Sequence, residues 1–160
     1  MNIFVLDLDI KKCAEYHNDK HLIKMIIEYN QLLCSAHWLT GGEAPYKLTH
    51  KNHPCAIWTR ECIENYIWLA DLCLELCKEY TYRYGKRHKS QDVVEWCIVN
   101  KPNLTENGNI TEFPLAMPDE CKIGNAVESY REYYIKHKQS ISSWKHREIP
   151  YWFESESCFV

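Results

Sequence analysis

The chain lacks any apolar run near the roughly 20 residues that a bilayer-crossing helix needs, so no membrane partner is expected. It lacks an excess of positive charge: with histidines neutral the net charge is −3. That excludes a protein held on nucleic acid by bulk charge alone, because non-specific binding is built from many Lys and Arg contacts to phosphate. None of its nine cysteines stands in a CxxC pair, and the count is odd. Cys34, Cys62, Cys73 and Cys77 fall in apolar helical stretches, where Cys acts as a small hydrophobe. The opening MNIFVLDLD shows no charged leader and no signal-type apolar core. A cytoplasmic, reducing setting with free thiols is the expectation.

What remains reads as a folded protein, with 46% apolar and 26% charged residues. At 160 residues the chain is long enough to bury a core without staples. Eleven Tyr and six Trp suit a core, and also suit stacking on bases. Eight His add positive charge only near or below about pH 6.5.

No internal repeat or linker is visible, and the pattern predicts an all-α fold: one mainly helical domain over residues 1–153, with a loose tail over 154–160. Residues 2–8, NIFVLDL, read as a short extended segment. Asp9 is placed to cap a helix over IKKCAEYH, and Asn18 or Asp19 to cap a second one running to Trp38, before Gly41-Gly42. Leu22, Met25, Ile26, Tyr29, Leu32 and Leu33 follow the spacing of its buried stripe. Pro54 suits the first turn of a central helix ending at Gly85. Ser90 is expected to cap a helix from Gln91 to about Val99. Residues 100–124 form a long irregular crossing. Asn125 with Glu128 resembles a capping box opening a last helix of about 18 residues. The segment WKHREIPYWF that follows is aromatic and basic.

The stretch YHNDKHLIKMIIE carries the first chemical signal. His21, Lys24, Glu28, Gln31 and Ser35 share one helix face, roughly opposite Ile26 and Tyr29. The plain reading is a solvated face with a Lys24–Glu28 pair. The chemical reading is a Glu beside His and Lys, able to act as a general base or to stabilise a cationic intermediate. His17 and His21 stand i,i+4, as in helical zinc sites, with His50 and His53 one loop away. However, the helix start at Asn18-Asp19 breaks their shared face, so neither a metal nor another cofactor is expected.

The second signal is EYTYRYGKRHKS, where cations and tyrosines meet between two helices. Cations at a helix C-terminus also suit the dipole. As a site, the segment offers a phosphate-binding edge with rings for stacking, which Lys136, His137, Lys138, Lys145, His146 and Arg147 would extend.

DKHLIKMIIE resembles the helix of phage endonuclease V-type pyrimidine-dimer DNA glycosylases, in which D-x-H-L is followed, seven residues after the His, by the catalytic Glu. NHP and the later CKEYTYRYG are similar to regions of bacterial relatives. Uncharacterised phage proteins look similar from MNIFVLD to YRYGKRHKS. The resemblance implies a compact helical fold and a bifunctional glycosylase and abasic-site lyase acting on a damaged or modified pyrimidine in DNA. It implies Glu28 as the catalytic carboxylate, His21 as the active-site histidine, and an N-terminal amine as nucleophile. The family exposes a threonine amine; here residue 2 is Asn, whose larger side chain disfavours removal of Met1, so the amine is either that of Met1 or absent from the site. The family's arginines around the glutamate are replaced, with Ile27 before Glu28 and Gln31 a turn later.

Substrate contacts are expected from Asn2, Lys20 and Lys24, from Asn52, His53 and Arg60, and from Arg83, Tyr84, Lys86, His88 and Lys89. Two alternatives stand beside DNA: a mononucleotide or modified nucleoside cleaved at the same bond, and a non-enzymatic viral interaction module whose aromatic tail docks a partner. The second requires that tail to be exposed.

Overall fold

The computed structural model describes residues 1–153; the tail expected at 154–160 lies outside the described residues. Six α-helices organise them: α1 Ile10–Tyr16, α2 Asp19–Trp38, α3 Pro54–Glu61, α4 Ile63–Tyr84, α5 Gln91–Val99 and α6 Ala126–His137. No strand occurs among the described residues, and no helix there is long and apolar enough to cross a membrane. The expected all-α class holds.

Local chemistry sets most helix ends. Asp9 caps α1 by accepting from the Lys12 N–H, and Asn18 caps α2 by accepting from the His21 N–H. Gly85 ends α4 at φ 68°, in the left-handed conformation that glycine adopts without strain. The predicted apolar stripe of α2 is buried, and α4 packs against α1, α2, α3 and α5 as the central helix. The N-terminal segment forms no sheet, yet Ile3, Phe4, Val5 and Leu6 are all buried. It threads through the core, with its Phe4 N–H bonded to the Tyr29 hydroxyl at 2.9 Å.

Three boundaries differ from the sequence pattern. The single helix expected from Pro54 to Gly85 is broken at Cys62, which is extended at φ −155°, ψ 163°. The crossing segment stitches this break. Ile63 N–H donates to the Thr105 carbonyl at 2.8 Å, and Glu64 accepts from the N–H groups of Asn107 and Gly108. Asn65 donates to the Trp58 carbonyl and accepts from the Thr111 N–H. Groups freed by the break are thereby paired with a distant loop.

The last helix is 12 residues long, shorter than its pattern suggested. Beyond His137 the chain passes through a 3-10 turn, Gln139–Ile141, and buries Trp144, whose indole N–H donates to the Tyr16 carbonyl at 2.8 Å. Ser90 precedes α5, but its side chain caps nothing; its hydroxyl pairs with that of Tyr46 at 2.5 Å. The aromatic segment after α6 packs on its own domain, with Trp144, Trp152 and Phe153 buried. Ile149 and Tyr151 stay exposed, but the three buried rings tie the segment to its own domain and count against the interaction-module reading.

Candidate active site

Glu28 lies in the third turn of α2, its side chain 15% exposed. One carboxylate oxygen stands 3.2 Å from the Met1 amine, and the other 3.6 Å from the Lys24 ammonium. The second oxygen is buried and accepts no hydrogen bond. A carboxylate with an amine on one oxygen and an unfilled second oxygen can take a proton and face a developing positive charge at once. The chain's first and twenty-eighth residues meet because the N-terminal segment is pinned beneath α2.

That pinning is a hydrogen-bond chain. The Tyr29 hydroxyl accepts from the Phe4 N–H and donates to His17 Nε2 at 2.9 Å, while His17 Nδ1–H donates to the Cys13 carbonyl at 2.7 Å. Full burial disfavours the charged ring and lowers the His17 pKa to about 4, which keeps the imidazole neutral at pH 7. His21 is held likewise: its Nδ1 accepts from the Tyr134 hydroxyl at 2.7 Å, and its ring stacks on Phe4 at 4.3 Å. Burial, then the charges of His17, Lys138 and Lys24, lowers its pKa to about 3. Among the described residues no hydrogen bond joins His21 to Glu28 or Met1; the ring presses on the segment that ends in the amine. Tyr29 and Tyr134 were not singled out for the site by sequence. Tyr29 showed only as a member of an apolar stripe and Tyr134 gave no signal, since its partners lie up to 116 residues away.

The polar stripe is thus not a wet face. Its ends are covered, His21 by Phe4 and Tyr134, and Ser35 by the Thr49 backbone, to which it both donates and accepts. Only Lys24 stands well out in solvent, at 71% exposure.

His53 lies within electrostatic reach of the amine. Its Nδ1 caps α3 by accepting from the Cys55 N–H at 3.0 Å. Its pKa is lowered by burial first, then by the charge of the N-terminal amine and by His50. Burial pushes the Cys55 thiol up to about 11, with the amine opposing. Arg60, seven residues beyond His53 on the same face of α3, has a buried Nη1 with no hydrogen-bond partner. Asn2 is half-buried, whereas Lys20 and Asn52 are exposed.

The basic aromatic segment divides. Lys86 and Lys89 are exposed and Tyr84 is half-buried under the Lys145 ammonium. Arg83, expected at the substrate edge, is instead fully buried and paired with Glu79 at 2.7 Å and Asp19 at 3.1 Å. It also donates to the carbonyls of His17 and Glu15, so its guanidinium braces the α1–α2 junction. His88 is buried too, its Nδ1 accepting from the Ser90 N–H and its Nε2 facing the Ile23 carbonyl at 3.3 Å. The structure therefore brings together Met1, Glu28, Lys24 and His53, and withdraws Arg83 and His88 into the core. A cavity of about 740 Å³ lies elsewhere, between Asp7, Phe113 and the start of α6.

No curated protein and no solved structure matches the chain. A family model described as pyrimidine dimer DNA glycosylase matches residues 1–92, which hold Met1, Glu28, His53 and helices α1 to α4. That is more than half of the 160 residues, and the chain belongs to that family.

Proposed function

We propose that the protein excises a damaged pyrimidine from DNA through attack of the Met1 amine on C1′ of the lesion nucleotide. The observation that carries this reading is the 3.2 Å contact between that amine and Glu28. Glu28 accepts a proton from the amine, freeing its lone pair. The N–C1′ bond forms as the glycosidic bond breaks, and the pyrimidine leaves with the bonding electrons and is protonated. Opening of the sugar ring gives an iminium, whose positive charge faces the second Glu28 oxygen. The imine acidifies the 2′ hydrogen; its loss expels the 3′ phosphate by β-elimination and cuts the strand. The lesion nucleotide must leave the stack to reach the amine, with Lys20, Lys24 and Asn52 as exposed contacts for the backbone.

Borohydride reduction during turnover tests this directly. Duplex DNA carrying a pyrimidine dimer is expected to give a covalent protein–DNA adduct mapped by mass spectrometry to residue 1. Absence of an adduct on both dimer-containing and abasic DNA rejects the amine mechanism.

A second reading keeps the bond and changes the substrate to a mononucleotide. Four of the five arginines are tied to carboxylates: Arg83, Arg87, Arg131 and Arg147. That leaves phosphate contacts to Arg60 and to exposed lysines such as Lys20, Lys86 and Lys89, on a chain whose net charge is −3. Glycosidic cleavage of damaged mononucleotides, with neither an abasic site nor strand cleavage in irradiated duplex, favours this reading.

A further inference from the structure

One cluster of metal-type ligands lies outside the candidate site. Glu120 and Cys121 belong to a 3-10 turn, Asp119–Cys121, in the crossing segment; His137 is the last residue of α6. One ligand atom from each lies within 4.8 Å of the other two. His137 Nε2 and a Glu120 oxygen are 2.7 Å apart at the surface. Directly beneath them the Cys121 thiol is fully buried and makes no hydrogen bond among the described residues.

We propose that Glu120, Cys121 and His137 form a zinc(II) site. Sulfur, imidazole nitrogen and carboxylate oxygen together suit a borderline-soft, tetrahedral ion. Bonds of about 2.0–2.3 Å place tetrahedral ligands roughly 3.3–3.8 Å apart, so side-chain adjustments of under an ångström close the set. The metal occupies the place of the His137–Glu120 hydrogen bond. The Cys121 thiol releases its proton to solvent on binding, the His137 proton resides on Nδ1, and water takes the fourth position. Two elements distant in sequence are thereby clipped together, fixing the crossing segment to the end of α6. The proposal is independent of the glycosylase reading, because none of its ligands approaches Met1 or Glu28 in sequence or shares a hydrogen bond with them.

Cobalt(II) titration of the reduced, full-length protein is the test, followed by zinc competition. One equivalent of cobalt is expected, with the charge-transfer absorption of a cobalt–thiolate bond, displaced by zinc. Cys121→Ser and His137→Ala are each expected to lose that absorption and at least tenfold in zinc affinity, while His146→Ala retains both. His137→Ala alters an exposed helix end, so it tests the site even if Cys121→Ser does not fold. No thiolate absorption in the wild type, or absorption undiminished in His137→Ala, overturns the proposal.

Discussion

At the scale of single residues, Glu28 is unusual because one oxygen faces the Met1 amine at 3.2 Å while the other, buried and without a hydrogen bond, has only the Lys24 ammonium at 3.6 Å. Glu28→Gln keeps the shape and removes both the proton acceptor and the negative charge. Turnover on dimer-containing DNA is expected to fall by about 10²-fold or more, in line with the loss of a general base or of electrostatic stabilisation. The far-ultraviolet circular dichroism is expected to stay unchanged; equal turnover in the mutant removes Glu28 from the mechanism. Glu28 was legible in sequence through its seven-residue spacing from His21. The reason it meets an amine was not. That contact depends on Tyr29 and His17 holding the first residues beneath α2, and neither a tyrosine in an apolar stripe nor a histidine at a helix end advertises such a bond.

At the scale of elements, most helices could be read because their caps are local: Asn18, Asp9 and Gly85 act within one turn. The break at Cys62 could not, since the segment that stitches it lies more than 40 residues downstream, where the Thr105 carbonyl takes the Ile63 N–H and loop N–H groups donate to the Glu64 and Asn65 side chains. The last turn of α4 shows the same limit. A run of cations at a helix end reads as a binding edge, but Arg83 points inward to Glu79 and Asp19 while Lys86 stays in water. Arg83→Ala strips the donor from the His17 and Glu15 carbonyls and leaves Glu79 to Arg147 and Asp19 to Ser143 and the Lys145 N–H, so it is expected to destabilise by about 2–3 kcal/mol. Lys86→Ala is expected to alter stability by less than about 0.5 kcal/mol. Urea denaturation of both variants checks the contrast, and similar midpoints would show that Arg83 is no brace.

At the scale of the whole molecule, pH acts through the same buried histidines. His17 and His21 have folded-state pKa values lowered to about 4 and about 3, against 6.5 when unfolded. Below 6.5 the unfolded chain therefore binds more protons than the folded one, and stability falls as pH falls. The loss begins near pH 6.5 and is complete near pH 4 for His17 and pH 3 for His21. For His17 alone it amounts to about 3 kcal/mol, at 1.36 kcal/mol for each unit of lowering. Melting temperatures measured from pH 8 to pH 4 are expected to drop steadily below pH 6.5. A His17→Gln variant is expected to flatten that slope, and an undiminished slope would place the sensitivity elsewhere.

The Met1 amine, set against Glu28 at 3.2 Å, has a bearing on how the polypeptide must be made. On the proposed mechanism, a formyl or acetyl cap retained after translation, or an affinity tag fused ahead of Met1, abolishes the cation that Glu28 faces. Maturation of the first residue is accordingly part of building this centre, and a tag belongs at the opposite end of the chain.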